Sequence, residues 1–221
     1  MNSPLDLGFD HRFIPATVPE AERGPVLLLL HGTGGDGDSL LQLGSTLSPT
    51  SALLSQTGKV REVGAARFFR RLAEGVFDVE DLKLRTSELA SFVRESVVAY
   101  YLDPACIVAV GYSNGANIAA SMLLSGESVL AGAALFRAMV PFEPSRPVDL
   151  RSVPALLCSG TSDPIATPAE TTRLAELLEA GHARVEIHRE PAGHQLVIGD
   201  VRTATDWIRR EFSPSASRLQ H

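Results

Sequence analysis

The 221-residue sequence predicts a single α/β domain built on a mostly parallel sheet with helices on both faces. Three observations carry that expectation. Short apolar runs, Val26-Leu27-Leu28-Leu29-Leu30, Ile107-Val108-Ala109-Val110 and Pro154-Ala155-Leu156-Leu157-Cys158, are hydrophobic at every position, as strands covered on both faces must be. Amphipathic, helix-length segments separate them. Glycine-containing loops follow the strands, where ligands sit in parallel sheets.

Taken in order, Phe9 to Ile14 reads as an edge strand, and Pro15 and Pro19 break the chain after it. Pro25 opens the Val26–Leu30 strand, which runs into His31-Gly32-Thr33-Gly34-Gly35-Asp36-Gly37-Asp38. Ser39 to Leu47 forms the first helix, with Asp38 or Ser39 as its cap. Ala52 to Val60 is weakly strand-like. Arg67 to Asp78 lacks clean periodicity and reads as a long loop. Asp78 and Asp81 mark a helix start, and Leu82, Leu89, Phe92, Val93, Val97 and Tyr100 give that helix a core-facing stripe. Asp103-Pro104 ends it. Strand 107–111 and helix Asn114–Leu124 follow, with Gly126 as the stop. A strand lies within Val129–Met139 and another at Pro154–Cys158. A helix spans Pro168–Ala180, a strand Val185–His188, and a closing helix Leu196 to Phe212. The domain is placed at 1–212, with the polar stretch Ser213 to His221 as a disordered tail.

Composition excludes several function classes. Net charge is −6 with no large basic cluster, so no nucleic-acid partner is expected. No apolar run spans a membrane, and Met1-Asn2-Ser3-Pro4 does not open a signal peptide; no membrane insertion and a cytoplasmic location are the expectation. Cys106 and Cys158 read as small apolar residues rather than a disulfide. No Cys/His cluster has metal-ligand spacing, so neither a metal nor a cofactor is expected.

The chemistry is concentrated in Gly111-Tyr112-Ser113-Asn114-Gly115. This is G-x-S-x-G between a strand signature and a helix signature. A serine there is lifted above the end of the sheet on a tight turn, and the helix N-terminus stabilises negative charge forming beside it. Such a serine needs a base, and the base needs an orienting acid. Among six histidines, His194 alone sits in a glycine-containing loop directly after a strand and downstream of a suitable acid. His11 lies at the wrong end, His31 in the glycine-rich loop, His182 on a polar turn, His188 inside a strand and His221 in the tail. Asp163, in a loop after its own strand, is the acid, and the order Ser113, Asp163, His194 is the one this topology requires. The loop after His31 matches no phosphate-binding spacing and reads instead as an oxyanion loop, with the Thr33 and Asn114 N–H groups as donors. Phe68, Phe69, Met139, Phe142 and Ile165 are the candidate pocket residues. Arg67, Arg70 and Arg71 are expected to pair with Glu62, Glu74 or Asp78 rather than to do chemistry.

With these motifs in place, the chain resembles the phospholipase/carboxylesterase family of α/β hydrolases, which includes the acyl-protein thioesterases. The likeness rests on L-H-G-T-G-G-D (Leu30–Asp36), G-Y-S-N-G-A-N (Gly111–Asn117), S-D-P (Ser162–Pro164) and A-G-H (Ala192–His194). The stretch Arg67–Asp78 is similar to a bacterial subgroup of small esterases, some associated with responses to hydroquinone or aromatic compounds. The resemblance implies an α/β-hydrolase fold, a catalytic triad of Ser113, Asp163 and His194, Thr33 and Asn114 as oxyanion donors, and no cofactor. It implies a serine carboxylesterase acting on a small-molecule acyl ester of short or medium chain. An acyl thioesterase or lysophospholipase with the same triad, and a catalytically silent binding protein on the same scaffold, are the alternatives. Homodimers occur in the family, and no residue here specifies one. Two departures touch the pocket wall: Ala138 stands where Arg-Pro-Met would place proline, and Ala65-Ala66 replaces a proline-containing approach to Arg67.

Overall fold

The structure is a computed structural model describing residues 7–212. Its centre is a sheet of seven strands: β1 (His11–Ile14), β2 (Val26–Leu30), β3 (Leu53–Gln56), β8 (Ile107–Tyr112), β9 (Gly132–Phe136), β10 (Pro154–Gly160) and β11 (Arg184–Glu190). Their order across the sheet is β1-β3-β2-β8-β9-β10-β11. Only β1 runs antiparallel, against β3; the other pairings are parallel. The α-helices among the described residues are α1 (Leu41–Leu47), α2 (Val79–Ala99), α3 (Asn114–Leu124), α4 (Pro168–Ala180) and α5 (Ile198–Phe212).

The uniformly apolar strands have the burial they were expected to have. Alternate residues of β2 face opposite sides: Leu28 and Leu30 join a core with α2, α3 and α4, while Leu27 and Leu29 join a second core with α1 and α5. All four side chains are fully buried. The strand order reverses direction between β2 and β8, so the loops leaving their carboxyl ends diverge to form a crevice. His31 and Ser113 lie directly beyond those two ends.

Helix starts follow local chemistry. The Asp78 carboxylate accepts the Asp81 N–H at the start of α2, and the Thr167 hydroxyl accepts the Glu170 N–H at the start of α4. The helix α1 differs from expectation: it begins at Leu41 with no side-chain cap, because the two expected caps are engaged elsewhere, the Ser39 hydroxyl with Asp36 and the Asp38 carboxylate with Arg12. The closing helix begins at Ile198 rather than Leu196, since 193–197 are held as a loop.

The weakly strand-like stretch Ala52–Val60 contains β3, and the largest correction concerns residues 60–78, of which 67–78 was expected to be a long loop. They form two small antiparallel hairpins: β4 (Val60–Glu62) with β5 (Ala65–Arg67), and β6 (Arg71–Ala73) with β7 (Val76–Phe77). The first closes through Val63 and Gly64, both at positive φ (49° and 85°), which matches the twist of two paired strands. The expected tail, 213–221, lies outside the described residues. Both cysteines are free thiols, Cys158 buried in β10 and Cys106 half-buried just before β8. Among the described residues, no helix is long and apolar enough to cross a membrane.

Leu28 is packed on all sides at the middle of the sheet, so Leu28→Ala leaves a cavity that the rigid strand cannot collapse. The expected loss is about 3 kcal/mol of stability, read as a lower urea midpoint with unchanged m-value.

Candidate active site

The residue joining β8 to α3 is Ser113, and its backbone sits at φ 52°, ψ −114°. A non-glycine residue there is strained by about 1–3 kcal/mol and persists only where its surroundings enforce it. The flanking glycines allow the enforcement. A Cβ on Gly115 would lie 1.9 Å from the Leu30 carbonyl oxygen, and one on Gly111 would lie 2.6 Å from the Gly115 carbonyl oxygen. Both glycines are therefore required by the close approach of β2, β8 and α3.

The structure brings the three sequence-predicted side chains together. His194 Nε2 lies 2.9 Å from Ser113 Oγ, and His194 Nδ1 lies 2.8 Å from Asp163 Oδ2. The Asp163 side chain is fully buried. Its other oxygen, Oδ1, accepts the N–H groups of Ile165 (2.8 Å) and Ala166 (3.1 Å), which fixes the carboxylate plane. The acid therefore has no freedom to turn away from the imidazole. Because a carboxylate only accepts, Nδ1 donates and Nε2 is left to accept from the serine.

The glycine-rich loop passes beside the serine. Among the described residues, neither the Thr33 nor the Asn114 N–H has a hydrogen-bond partner, and Asn114 opens α3, where N–H groups have no helical partner. Side chains hold both backbones. The Asn114 amide oxygen accepts the Phe68 N–H at 2.7 Å, and the Thr33 hydroxyl accepts from Arg67 Nη1 at 2.6 Å. Arg67 is buried and also pairs with Glu62 at 3.2 Å; burial pulls its guanidinium below the ordinary arginine value. Glu62 is shared with Arg71, and Arg70 pairs with Asp78 and Asp81, so the three arginines pair much as expected.

His31 is a staple rather than a reactant. Its Nδ1 donates to the Gly32 carbonyl (2.6 Å) and its Nε2 accepts the Gly58 N–H (3.0 Å), tying the loop to the segment after β3.

Around Ser113 lies a pocket of about 300 Å³. Met139 and Ile165 line it, joined by Gly75, Phe77, Asn117 and Arg71. Phe68 and Phe69 do not line it: both are buried in the core, Phe68 against the His31 ring and Phe69 edge-on to Phe77. Phe142 lies outside it too, packed at the core margin under the Lys83 ammonium. Two adjacent phenylalanines in an irregular stretch looked like pocket wall, but the hairpins turn them inward and present Phe77 instead. Arg137 also went unread, although a charged residue directly after a five-residue buried strand is a signal, since a buried arginine demands partners. Among the described residues, no cluster of three or more His, Cys, Asp or Glu side chains could hold a metal ion.

An open parallel sheet carrying a strained serine between strand and helix, with histidine and aspartate on later strand-end loops, defines an α/β hydrolase. No family model matches the chain. It is 42% identical over 184 residues to "Putative hydrolase MhqD" of Bacillus subtilis (strain 168), covering 83% of this chain and 92% of that protein. The structure of a Bacillus cereus carboxylesterase superposes with a TM-score of 0.88 at 45% identity, covering 92% of this chain and 95% of the other. A Mesorhizobium loti carboxylesterase gives 0.85 at 28% identity, over 92% and 96% of the two chains. The chain belongs to the phospholipase/carboxylesterase family of α/β hydrolases, a family of carboxylic ester hydrolases.

The pH dependence of stability tests the His31 staple. Burial holds its ring below the usual value of 6.5, so the folded state keeps it neutral while the unfolded chain takes up a proton. The staple's contribution is complete above pH 6.5 and is lost as pH falls from there through the lower folded value. The stability gap between wild type and His31→Gln, measured by urea unfolding, should narrow from pH 7.5 to pH 5.

Proposed function

We propose that the protein is a serine carboxylesterase that hydrolyses short- to medium-chain acyl esters through Ser113, His194 and Asp163. The observation that carries this reading is the unbroken line of hydrogen bonds from Ser113 Oγ through His194 to a buried, doubly anchored Asp163. His194 takes the proton of Ser113 as Oγ attacks the ester carbonyl, forming a tetrahedral adduct. The Thr33 and Asn114 N–H groups bind the oxyanion, assisted by the N-terminal end of α3. His194 then gives its proton to the departing alcohol, leaving an acyl-enzyme. Water enters, His194 deprotonates it, and the same steps in reverse roles release the acid and restore Ser113. Asp163 holds the imidazole in the required tautomer and stabilises its charged form.

The pocket supports the chain-length assignment. About 300 Å³ lies at the lower end of the range of roughly 300–1,000 Å³ for small-molecule sites. Its apolar wall is formed by Phe77, Met139 and Ile165, and Gly75 at the tip of the second hairpin approaches Met139 across it. The Bacillus cereus and Mesorhizobium loti relatives, both named carboxylesterases, favour an oxygen ester over the thioester alternative.

Hydrolysis of p-nitrophenyl esters from acetyl to dodecanoyl checks both parts. Wild type should prefer short to medium chains and fall off at dodecanoyl, and Ser113→Ala should lose roughly 10³-fold or more in kcat. Equal rates in the two proteins would remove Ser113 as the nucleophile.

A further inference from the structure

Arg137 stands just past β9, at φ 57°, with its side chain wholly buried. All five of its N–H bonds are used. Nε donates to the Gly193 carbonyl (3.1 Å) and Nη2 to the Gln195 carbonyl (2.9 Å). Nη1 donates to the Cys158 carbonyl at the end of β10 (3.1 Å). Asp200 accepts from both terminal nitrogens, at 3.0 and 2.6 Å. The first two acceptors lie on either side of His194.

We infer that Arg137 is a positioning residue for the reaction: its planar guanidinium sets the place of the His194 imidazole by holding the carbonyls that flank it. The inference rests on His194 being the general base proposed above.

Backbone accounting supports it. Four consecutive carbonyls, residues 192–195, each have a donor. The Ser162 N–H serves Ala192, Arg137 serves Gly193, the Tyr112 hydroxyl serves His194 at 3.1 Å, and Arg137 serves Gln195. The loop has no strand or helix of its own to satisfy these groups, so two side chains from the carboxyl ends of β8 and β9 supply what regular structure would. Those ends also set Ser113, whose N–H donates to the Phe136 carbonyl one residue before Arg137. Base and nucleophile are thereby referenced to the same strand end. At the far side, Asp200 accepts the Val197 N–H as well and fixes the start of α5.

Two considerations separate positioning from mere stabilisation and from catalysis. A buried ion pair serving stability alone gives little or no advantage over apolar residues of the same volume. This one is arranged so that the fork straddles the histidine. The guanidinium borders the pocket, yet every N–H is already committed, so none is free for the substrate or its oxyanion. Lysine keeps the charge opposite Asp200 but cannot present the planar fork.

The test is Arg137→Lys, compared with Leu89→Ala, a core variant destabilised without contact to the site. In folded Arg137→Lys protein, kcat for a short p-nitrophenyl ester should fall about 100-fold while KM stays within about threefold, the effect of a misplaced base. The downfield proton resonance of the His194–Asp163 hydrogen bond should broaden or vanish. Leu89→Ala should retain both the resonance and kcat in proportion to its folded fraction. Because Arg137→Lys strains a buried site, the double variant Arg137→Met/Asp200→Leu gives a second reading. It removes the charges together and should be no less stable than Arg137→Lys, yet equally slow. A kcat within threefold of wild type in either folded variant would overturn the inference, as would an unchanged resonance. A wild type insensitive to Ser113→Ala would instead overturn the proposed function, a separate outcome.

Discussion

The backbone turn at Ser113 constrains everything around it. A residue at φ 52°, ψ −114° would relax if either neighbour could move, and neither can. On one side β8 is paired to β2 and β9 along its length, and on the other α3 is buried at every position from Asn114 to Leu124. The glycines at 111 and 115 exist because the chain elements press together there, leaving no room for a Cβ. The two apolar cores, one on each face of the sheet, hold that compression in place. Strain of this kind is stable only inside a rigid frame, which is why the serine sits at the sheet's centre and not on a peripheral loop.

From that fixed point the site is assembled by polar side chains that hold backbone. Asp163 is anchored by two N–H groups, and the histidine loop is held by Tyr112 and Arg137. The glycine-rich loop is held by His31 and, through the Thr33 hydroxyl, by Arg67. The buried cations are paired, Arg67 with Glu62 and Arg137 with Asp200, so charge enters the interior without being left uncompensated. Each loop around Ser113 thus has its own polar tie to neighbouring chain, and Ser113, His194 and Asp163 can be close without being joined by covalent or regular secondary structure.

How much of this was legible in the sequence depended on whether a single local rule governed each element. The continuous apolar runs of β2, β8 and β10 fit a sheet covered on both faces, which the structure has, whereas the order of the strands across it is set by pairings that the runs do not encode. The spacing around Ser113 and the loop positions of Asp163 and His194 likewise brought together residues far apart in the chain. The hairpins over 60–78 were not legible: their strands are two or three residues long, and a Val-Gly turn lacks the Asn-Gly signature of a tight hairpin. Phe68 and Phe69 were misplaced for the same reason: they lie in the bend between β5 and β6, and which way they point depends on hairpin pairing that composition does not reveal. Arg137 was missed because its partners are backbone carbonyls, which every sequence has everywhere; only the fold shows which ones converge on it.

The account stands on Ser113 being the one activated nucleophile. The most direct measurement is reaction with a fluorophosphonate probe at neutral pH, followed by mass spectrometry of the intact protein and of its peptides. One adduct per chain, located on Ser113 and absent after heat denaturation, is the predicted result. An adduct on another residue, or none while the protein is folded and hydrolysing ester, would contradict it.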